Sequence, residues 1–442
     1  MKNRFDDYVR SLDEDVVRSV RASTERVFSA RAKTLPEVFD DVDHARRQAA
    51  DVKSYVLDNL KPLLLKLEAN CAKNGVTVHW AKDAASANRI ITGICDRVAP
   101  NGGTVVKAKS MATEEIHLNR HLTIAGHTPV ETDLGEFVVQ IDRDKPSHIV
   151  APIIHKDRKS IARSFEREKL GPYTEEPEEL TMQARAHLRS KFQEADVGVS
   201  GVNFAIAETG RIVLVENEGN NRLSTTVPRV HIALMGIEKV LPRESDLALF
   251  LRLLAGSATG QRLTVYTHFI GGPKKEEADG PEEVHLVLLD NGRSRVLKGP
   301  FRYALRCIRC GACLNGCPVY RRSTGHAYGH VYPGPIGAVL APALDGVPKM
   351  GELAKASTLC GLCREVCPVD IPIPDMLLKL RSEDERNRTS EWTWFGLAAR
   401  SNLLWKAGLK LLPMVEPPRG WKEFREFPRK RVDFRRWWRG RP

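Results

Sequence analysis

The stretch "CIRCGACLNGCPVY" (Cys307–Tyr320) is answered fifty residues later by "STLCGLCREVCPVD" (Ser357–Asp370). With that offset Cys310, Cys313 and Cys317 superpose on Cys360, Cys363 and Cys367, while Cys307 meets Ser357, so the second copy is one thiol short. The first copy reads C-x2-C-x2-C-x3-C-P, the ferredoxin spacing. Three closely spaced thiolates can wrap one face of an iron–sulfur cube, and the next cysteine, redirected by Pro318, points away to a second cluster. A zinc knuckle favours two cysteine pairs separated by a longer loop, which this run does not supply.

In such runs the fourth cysteine serves the other cluster. That crossing gives cluster 1, a 4Fe-4S centre, Cys307, Cys310, Cys313 and Cys367, and gives cluster 2 Cys317, Cys360 and Cys363. One corner of cluster 2 has no cysteine. Three outcomes are open: a 3Fe-4S cluster, a 4Fe-4S cluster with solvent or another side chain on the odd iron, or ligation by Ser357. A serine hydroxyl is far harder to deprotonate than a thiol of pKa about 8.5, which favours the first two. The residues between the two runs include helix, and the module resembles the α-helical ferredoxin unit of succinate dehydrogenase iron–sulfur subunits. Two adjacent clusters form an electron relay, so the module reads as a wire.

The 442 residues exceed one ordinary core, and roughly 150 residues per domain predicts two to three units. Seven of the nine cysteines lie between 307 and 367, a concentration that suits metal ligation in a reducing compartment. Cys71 and Cys95 sit in helical patterns and read as small buried hydrophobes. The opening "MKNRFDDYVRSLDEDVV" lacks the apolar run of a signal or anchor, so a cytoplasmic address is expected. Of the net charge of +12, Arg419–Pro442 supplies ten Lys/Arg against three acids, which makes basicity a property of the tail and argues against a nucleic-acid-binding domain.

Upstream, apolar residues recur at three- and four-residue steps through Val52, Val56, Leu57, Leu60, Leu63, Leu64 and Leu67, predicting N-terminal helices over 1–75 that pack on the next domain. From residue 76 the pattern alternates: strands at 76–81, 103–109 and in "TPVET", helices in "DAASANRIITGICDRVAP" and "MATEEIHLNRHLTIAG". That alternation predicts an α/β domain over 76–295 with a mostly parallel sheet. A mainly helical segment spans about 155–195, Gly210 marks a hairpin turn into the strand Ile212–Val215, and "VHIALMGIEKVL" (230–241) reads as a strand and the start of a helix. The ferredoxin-type domain occupies 300–380, and a Trp/Arg-rich helix and tail occupy 390–442.

Two acidic groups follow strands in the α/β domain: Glu131, Asp133 and Glu136, then Glu216 and Glu218 in "ENEGNN". Ligands of open α/β sheets bind beyond the carboxyl ends of strands, so both groups are candidates for a site, with Gly219 and Arg222 able to hold an anion. The competing reading is loop solvation and helix capping. His127 and His231 read as structural histidines. No G-x-G-x-x-G and no G-x-x-x-x-G-K-[ST] is present, so a Rossmann-type dinucleotide is unsupported. The segment 391–413, with Trp392, Trp394, Trp405, Arg400, Lys406 and Lys410, is amphipathic; packing on a partner subunit or on the cluster module competes with lying on an anionic membrane surface, and its charges rule against a span.

"ETDLGE" (131–136) and "ETGRIVLVENEGN" (208–220), followed by the two cysteine runs, "GHAYG" and "YPGPIGA", resemble the lactate-utilisation iron–sulfur family, the B component of the LutABC type, over about residues 30–410. The resemblance implies a LUD-like middle domain of NagB/RpiA/CoA transferase-like fold and a role as electron transporter in oxidation of L-lactate to pyruvate. It also implies a cysteine-rich partner subunit and a small LUD-domain partner subunit. Seven cluster cysteines are a trait of that family, so the vacancy opposite Cys307 is expected. Two further readings stand beside it: a self-sufficient hydroxy-acid oxidoreductase whose middle domain binds substrate, and a non-catalytic assembly subunit.

Overall fold

The computed structural model describes residues 4–276, 279–383, 396–397 and 399–411. Among the described residues ten strands are formed: β1 (Val76–Ala81), β2 (Thr104–Lys107), β3 (Thr128–Glu131), β4 (Ala195–Gly201), β5 (Phe204–Ile206), β6 (Ile212–Glu216), β7 (Val230–Gly236), β8 (Val240–Leu241), β9 (Tyr266–Ile270) and β10 (Glu283–Leu289). Six of them make a sheet of order β1-β10-β7-β4-β2-β3, parallel at every pairing. Its central strand β7, "VHIALMG", is buried at every residue. A continuous apolar run of this kind is what a parallel strand covered on both faces requires. Helix Ala84–Val98 covers one face through Ala87, Ile91 and Cys95. Helix Leu60–Lys73 packs Leu63, Leu64, Leu67 and Cys71 on the other side.

β8, β5, β6 and β9 form a second, mixed sheet. Gly210, at φ 73°, turns β5 into β6 as the sequence predicts. A Cβ at that position would lie 2.5 Å from the backbone of Asn70, so the turn also lets helix Leu60–Lys73 approach.

Two expectations need correction. The helix expected through "MATEEIHLNRHLTIAG" is broken into Met111–Glu115 and Leu118–Ile124 by His117, which is left-handed at φ 52°, a conformation that histidine adopts more readily than most residues. The helix expected after β7 is a single 3-10 turn, Ile237–Lys239, leading straight into β8. Glu238 in that turn is fixed by Arg293 and Arg309, and these tertiary ion pairs hold the chain where helix propagation would continue.

The chain divides into two compact units, Met1–Glu383 and Asp384–Pro442. In the first, the N-terminal helices do more than cover the sheet. Helix Glu14–Val38 also touches the short helices Ala312–Gly316 and Pro318–Ser323 of the cysteine region. In the second, helix Asn402–Leu411 exposes Leu403, Leu404 and Trp405. Trp392, Trp394 and the basic tail lie outside the described residues. Among the described residues, no helix is long and apolar enough to cross a membrane.

Candidate functional site

The two cysteine runs fold alike. Arg309 (φ 63°) and Gly311 (φ 76°) are left-handed in the first, and Leu359 (φ 56°) and Gly361 (φ 90°) occupy the equivalent positions in the second. Each pair leads into a short helix, Ala312–Gly316 or Leu362–Glu365. In the first run the Arg309 N–H donates to Cys307 Sγ at 3.4 Å. In the second, the Leu359 N–H donates to Ser357 Oγ at 3.1 Å. Ser357 therefore stands in its loop as Cys307 stands in its own, with oxygen in place of sulfur.

Cys307, Cys310, Cys313 and Cys367 line one small cavity, walled by Ile149, Ile308, Ile336 and Ile373. The cysteine from the second run thus joins three from the first. Cys317 is buried away from that cavity, Cys363 is half-buried and Cys360 is exposed. Backbone N–H groups point at two further sulfurs: Tyr320 to Cys317 and Ile371 to Cys367, each at 3.4 Å. Burial pushes the thiol of Cys310 up to about 12 and that of Cys367 up to about 11, with neighbouring cysteines adding to the effect. Buried sulfurs of this kind ionise only with a metal as counter-charge. Convergent thiols in an apolar cage with N–H donors aimed at sulfur fit an iron–sulfur cluster.

The second run is held by arginines from the N-terminal helices. Arg31 donates to the carbonyl of Val366 at 3.0 Å, and Arg46 donates to those of Cys367 and Arg364 at 2.8 and 2.7 Å. Nothing in the spacing of the sequence announces these contacts.

A second, larger cavity of about 540 Å³ opens at the carboxyl ends of the parallel strands. Asp133, Glu216 and Glu218 line it, whereas Glu131, Glu136 and Arg222 do not. Glu131 is buried against Lys107 at 2.8 Å. Glu216 accepts from the N–H groups of Asn221 and Arg222 at 2.7 and 2.9 Å. The anion cradle read into "NEGNNR" is filled by the chain's own carboxylate, and the Arg222 side chain turns to stack on Tyr266 at 5.3 Å. His127 is held by Asp96 at 2.9 Å and His231 by Ser200 at 2.8 Å, both as structural histidines. Cys71 and Cys95 are buried.

Burial first, and Glu131 next, push the carboxyl of Glu136 up to about 8. A folded pKa above the unfolded value of about 4.3 means the folded state binds the extra proton, so this group's contribution is full below that value and is lost as pH rises towards 8. Glu136→Gln should remove the loss. Its thermal midpoint relative to wild type is expected to climb between pH 5 and 8, by up to about 1.4 kcal/mol per pH unit in stability. A difference independent of pH would contradict the assignment.

One wall of the larger cavity is a buried charge network that sequence patterns did not reveal. Arg293 forks onto Glu115 with two bonds of 2.8 Å and reaches Glu238 at 2.6 Å. Arg309 reaches Glu238 at 3.3 Å and stacks on Tyr332 at 4.4 Å, and the Tyr332 hydroxyl donates to Glu115 at 2.5 Å. Against the penalty of burial, Arg293 holds the Glu115 carboxyl down to about 2. The partners come from five distant parts of the chain, so no local motif exists to find them.

Comparisons with known proteins find two families along the chain. The LUD domain family matches residues 64–289, and the 4Fe-4S dicluster domain family matches residues 303–371. Lactate utilization protein B of Bacillus subtilis (strain 168) is 43% identical over 95% of this chain and 92% of its own length. The proteins of that name from Shouchella clausii and Bacillus licheniformis are 42% and 43% identical, over 96% and 97% of this chain and 93% and 95% of theirs. The chain belongs to the lactate utilization protein B family. A solved structure titled as a duf162 family protein from Deinococcus radiodurans aligns with 52% of this chain and 98% of its own, at 13% identity and a TM-score of 0.30, too low a likeness to bear on the fold. Family membership accounts for what the first compact unit holds, in order: a mixed α/β domain with a mostly parallel sheet, then a ferredoxin-type 4Fe-4S domain.

Proposed function

We propose that this chain is the iron–sulfur electron-transfer subunit of an L-lactate-oxidising assembly of the LutABC type, with a cysteine-rich subunit and a small LUD-domain subunit as its partners. The observation that carries the reading is the convergence of Cys307, Cys310, Cys313 and Cys367 on one cavity, with Cys317, Cys360 and Cys363 left for a second centre. Iron–sulfur clusters supply one-electron transfer with little movement of atoms. The chain's own residues set the environment: Cys307, Cys310, Cys313 and Cys367 hold cluster 1 in an apolar cage, and the N–H groups of Arg309 and Ile371 stabilise the charge on their sulfurs. Cys317, Cys360 and Cys363 hold cluster 2, and the exposure of Cys360 makes that end the natural docking side for a redox partner. The α/β domain is read as NagB/RpiA/CoA transferase-like, and the assembly as cytoplasmic, with the carboxyl-terminal helix available to the inner face of the membrane.

The test uses anaerobically reconstituted full-length protein. Dithionite should bleach the cluster absorbance, L-lactate alone should not, and L-lactate should do so once both partner subunits are added. Bleaching by L-lactate without partners would overturn the reading in favour of a self-sufficient oxidoreductase. Clusters that stay silent with dithionite would overturn it in favour of a structural role.

A further inference from the structure

The 540 Å³ cavity has a composition that electron transfer does not use. Its lining carries charges of both signs. Lys239 and Arg309 stand at the side of the buried charge network, and Asp133 and Glu218 stand together where Glu218 accepts from the Leu134 N–H at 3.1 Å. Lys109 lies near the acids and gives its ammonium to the carbonyl of Ile149. Arg293 also lines the cavity, but its charge is spent on Glu115 and Glu238.

Arg309 is different. Its side chain is 8% exposed, its Nη2 reaches Glu238, and its Nη1 is buried with no hydrogen-bond partner. Lys239 makes no hydrogen bond and no salt bridge among the described residues, and burial followed by the nearness of Arg309 holds its ammonium down to about 8. A buried guanidinium nitrogen without a partner, beside a second, half-buried cation, is a standing cost that an anion would relieve. The Cys307 thiolate acts on both cations from the cysteine side, but both side chains line the large cavity and neither lines the cysteine cavity. Ile149 borders both cavities, so a ligand in the larger one lies against the wall of cluster 1.

We infer that this cavity binds a small carboxylate carrying a hydroxyl or keto oxygen on the neighbouring carbon, with Arg309 and Lys239 holding the carboxylate and Asp133 and Glu218 facing the second oxygen. Burial first, and Asp133 next, push the Glu218 carboxyl up to about 7. The acid pair can therefore carry a proton near neutrality and donate to a keto oxygen or accept from a hydroxyl. The site stands on this geometry; only the choice of L-lactate and pyruvate as probes rests on the functional reading above.

The experiment is calorimetric titration of the anaerobically reconstituted full-length protein with L-lactate, pyruvate and propionate. L-lactate or pyruvate should bind saturably, and propionate, which lacks the second oxygen, about tenfold more weakly. Lys239→Gln and Arg309→Gln should each weaken binding by about tenfold or more, as loss of a charge-assisted hydrogen bond predicts, with cluster absorbance retained in Lys239→Gln. Lys239 lies outside the cysteine loops, so its variant decides the matter even if Arg309→Gln fails to load iron. The inference is overturned if neither L-lactate nor pyruvate gives saturable heat, if propionate binds as tightly, or if Lys239→Gln binds unchanged. Those outcomes leave reduction of the clusters by dithionite untouched, so failure of this site and failure of the electron-transfer reading are distinguishable.

Discussion

Arg293→Met should destabilise the folded protein by about 3–5 kcal/mol, the cost of removing one partner from a buried ion pair. The side chain is fully buried, and it is the sole cation that joins Glu115 to Glu238 among the described residues. Without it, Glu115 keeps only the neutral donors Asn291 and Tyr332, and Glu238 keeps the longer contact to Arg309 and the Lys53 ammonium on its carbonyl. The same network fixes the 3-10 turn after β7 and anchors Arg309 of the first cysteine loop, so iron loading should fall along with the unfolding midpoint. Arg97→Met is the control. It breaks an exposed pair with Glu283, and such pairs are worth about 0–1 kcal/mol. Equal shifts in urea midpoint for the two variants would contradict the account.

Crossed ligation predicts that position in the sequence and membership of a centre disagree. Cys367→Ala should remove cluster 1 although Cys367 belongs to the second run, and Cys317→Ala should remove cluster 2 although it belongs to the first. Each variant should lose about half of the bound iron. Their paramagnetic spectra should be complementary, Cys317→Ala keeping the reduced signal of the four-iron centre and Cys367→Ala the oxidised signal of the second centre. Cys367→Ala should also be the less stable of the two, because its cavity is enclosed by the core isoleucines Ile308, Ile336 and Ile373. If Cys367→Ala and Cys360→Ala abolish the same signal, the crossing is wrong.

How much of this was legible beforehand depends on distance along the chain. The cysteine spacing is local, and so is the Gly210 hairpin; both could be read because the residues that act together are neighbours in sequence. The alternation of strands and helices was legible for the same reason, since each element carries its own period. His117 shows the limit: its left-handed backbone interrupts a run whose apolar spacing continues on both sides. Glu216 shows another. The sequence marked an anion cradle at "NEGNNR", but an anion from the chain's own strand satisfies those N–H groups as well as a ligand would. Arg309 and Lys239 were invisible as a pair because nothing local links "CIRC" to "IEKVL". Only the folding of the cysteine loop against the end of β7 brings them to one cavity.

The central claim is that seven thiolates serve two centres and that Ser357 occupies the place of the eighth. Electron paramagnetic resonance of the oxidised protein, wild type beside Ser357→Cys, tests it most directly. The account predicts a three-iron signal in the wild type, from a second centre whose fourth corner has no thiolate to hold an iron. In Ser357→Cys that signal should vanish and iron content should rise by about one atom per chain, because the new thiol would stand where the Leu359 N–H already points. Two four-iron centres in the wild type, with spectra and iron content unchanged by the substitution, would contradict it.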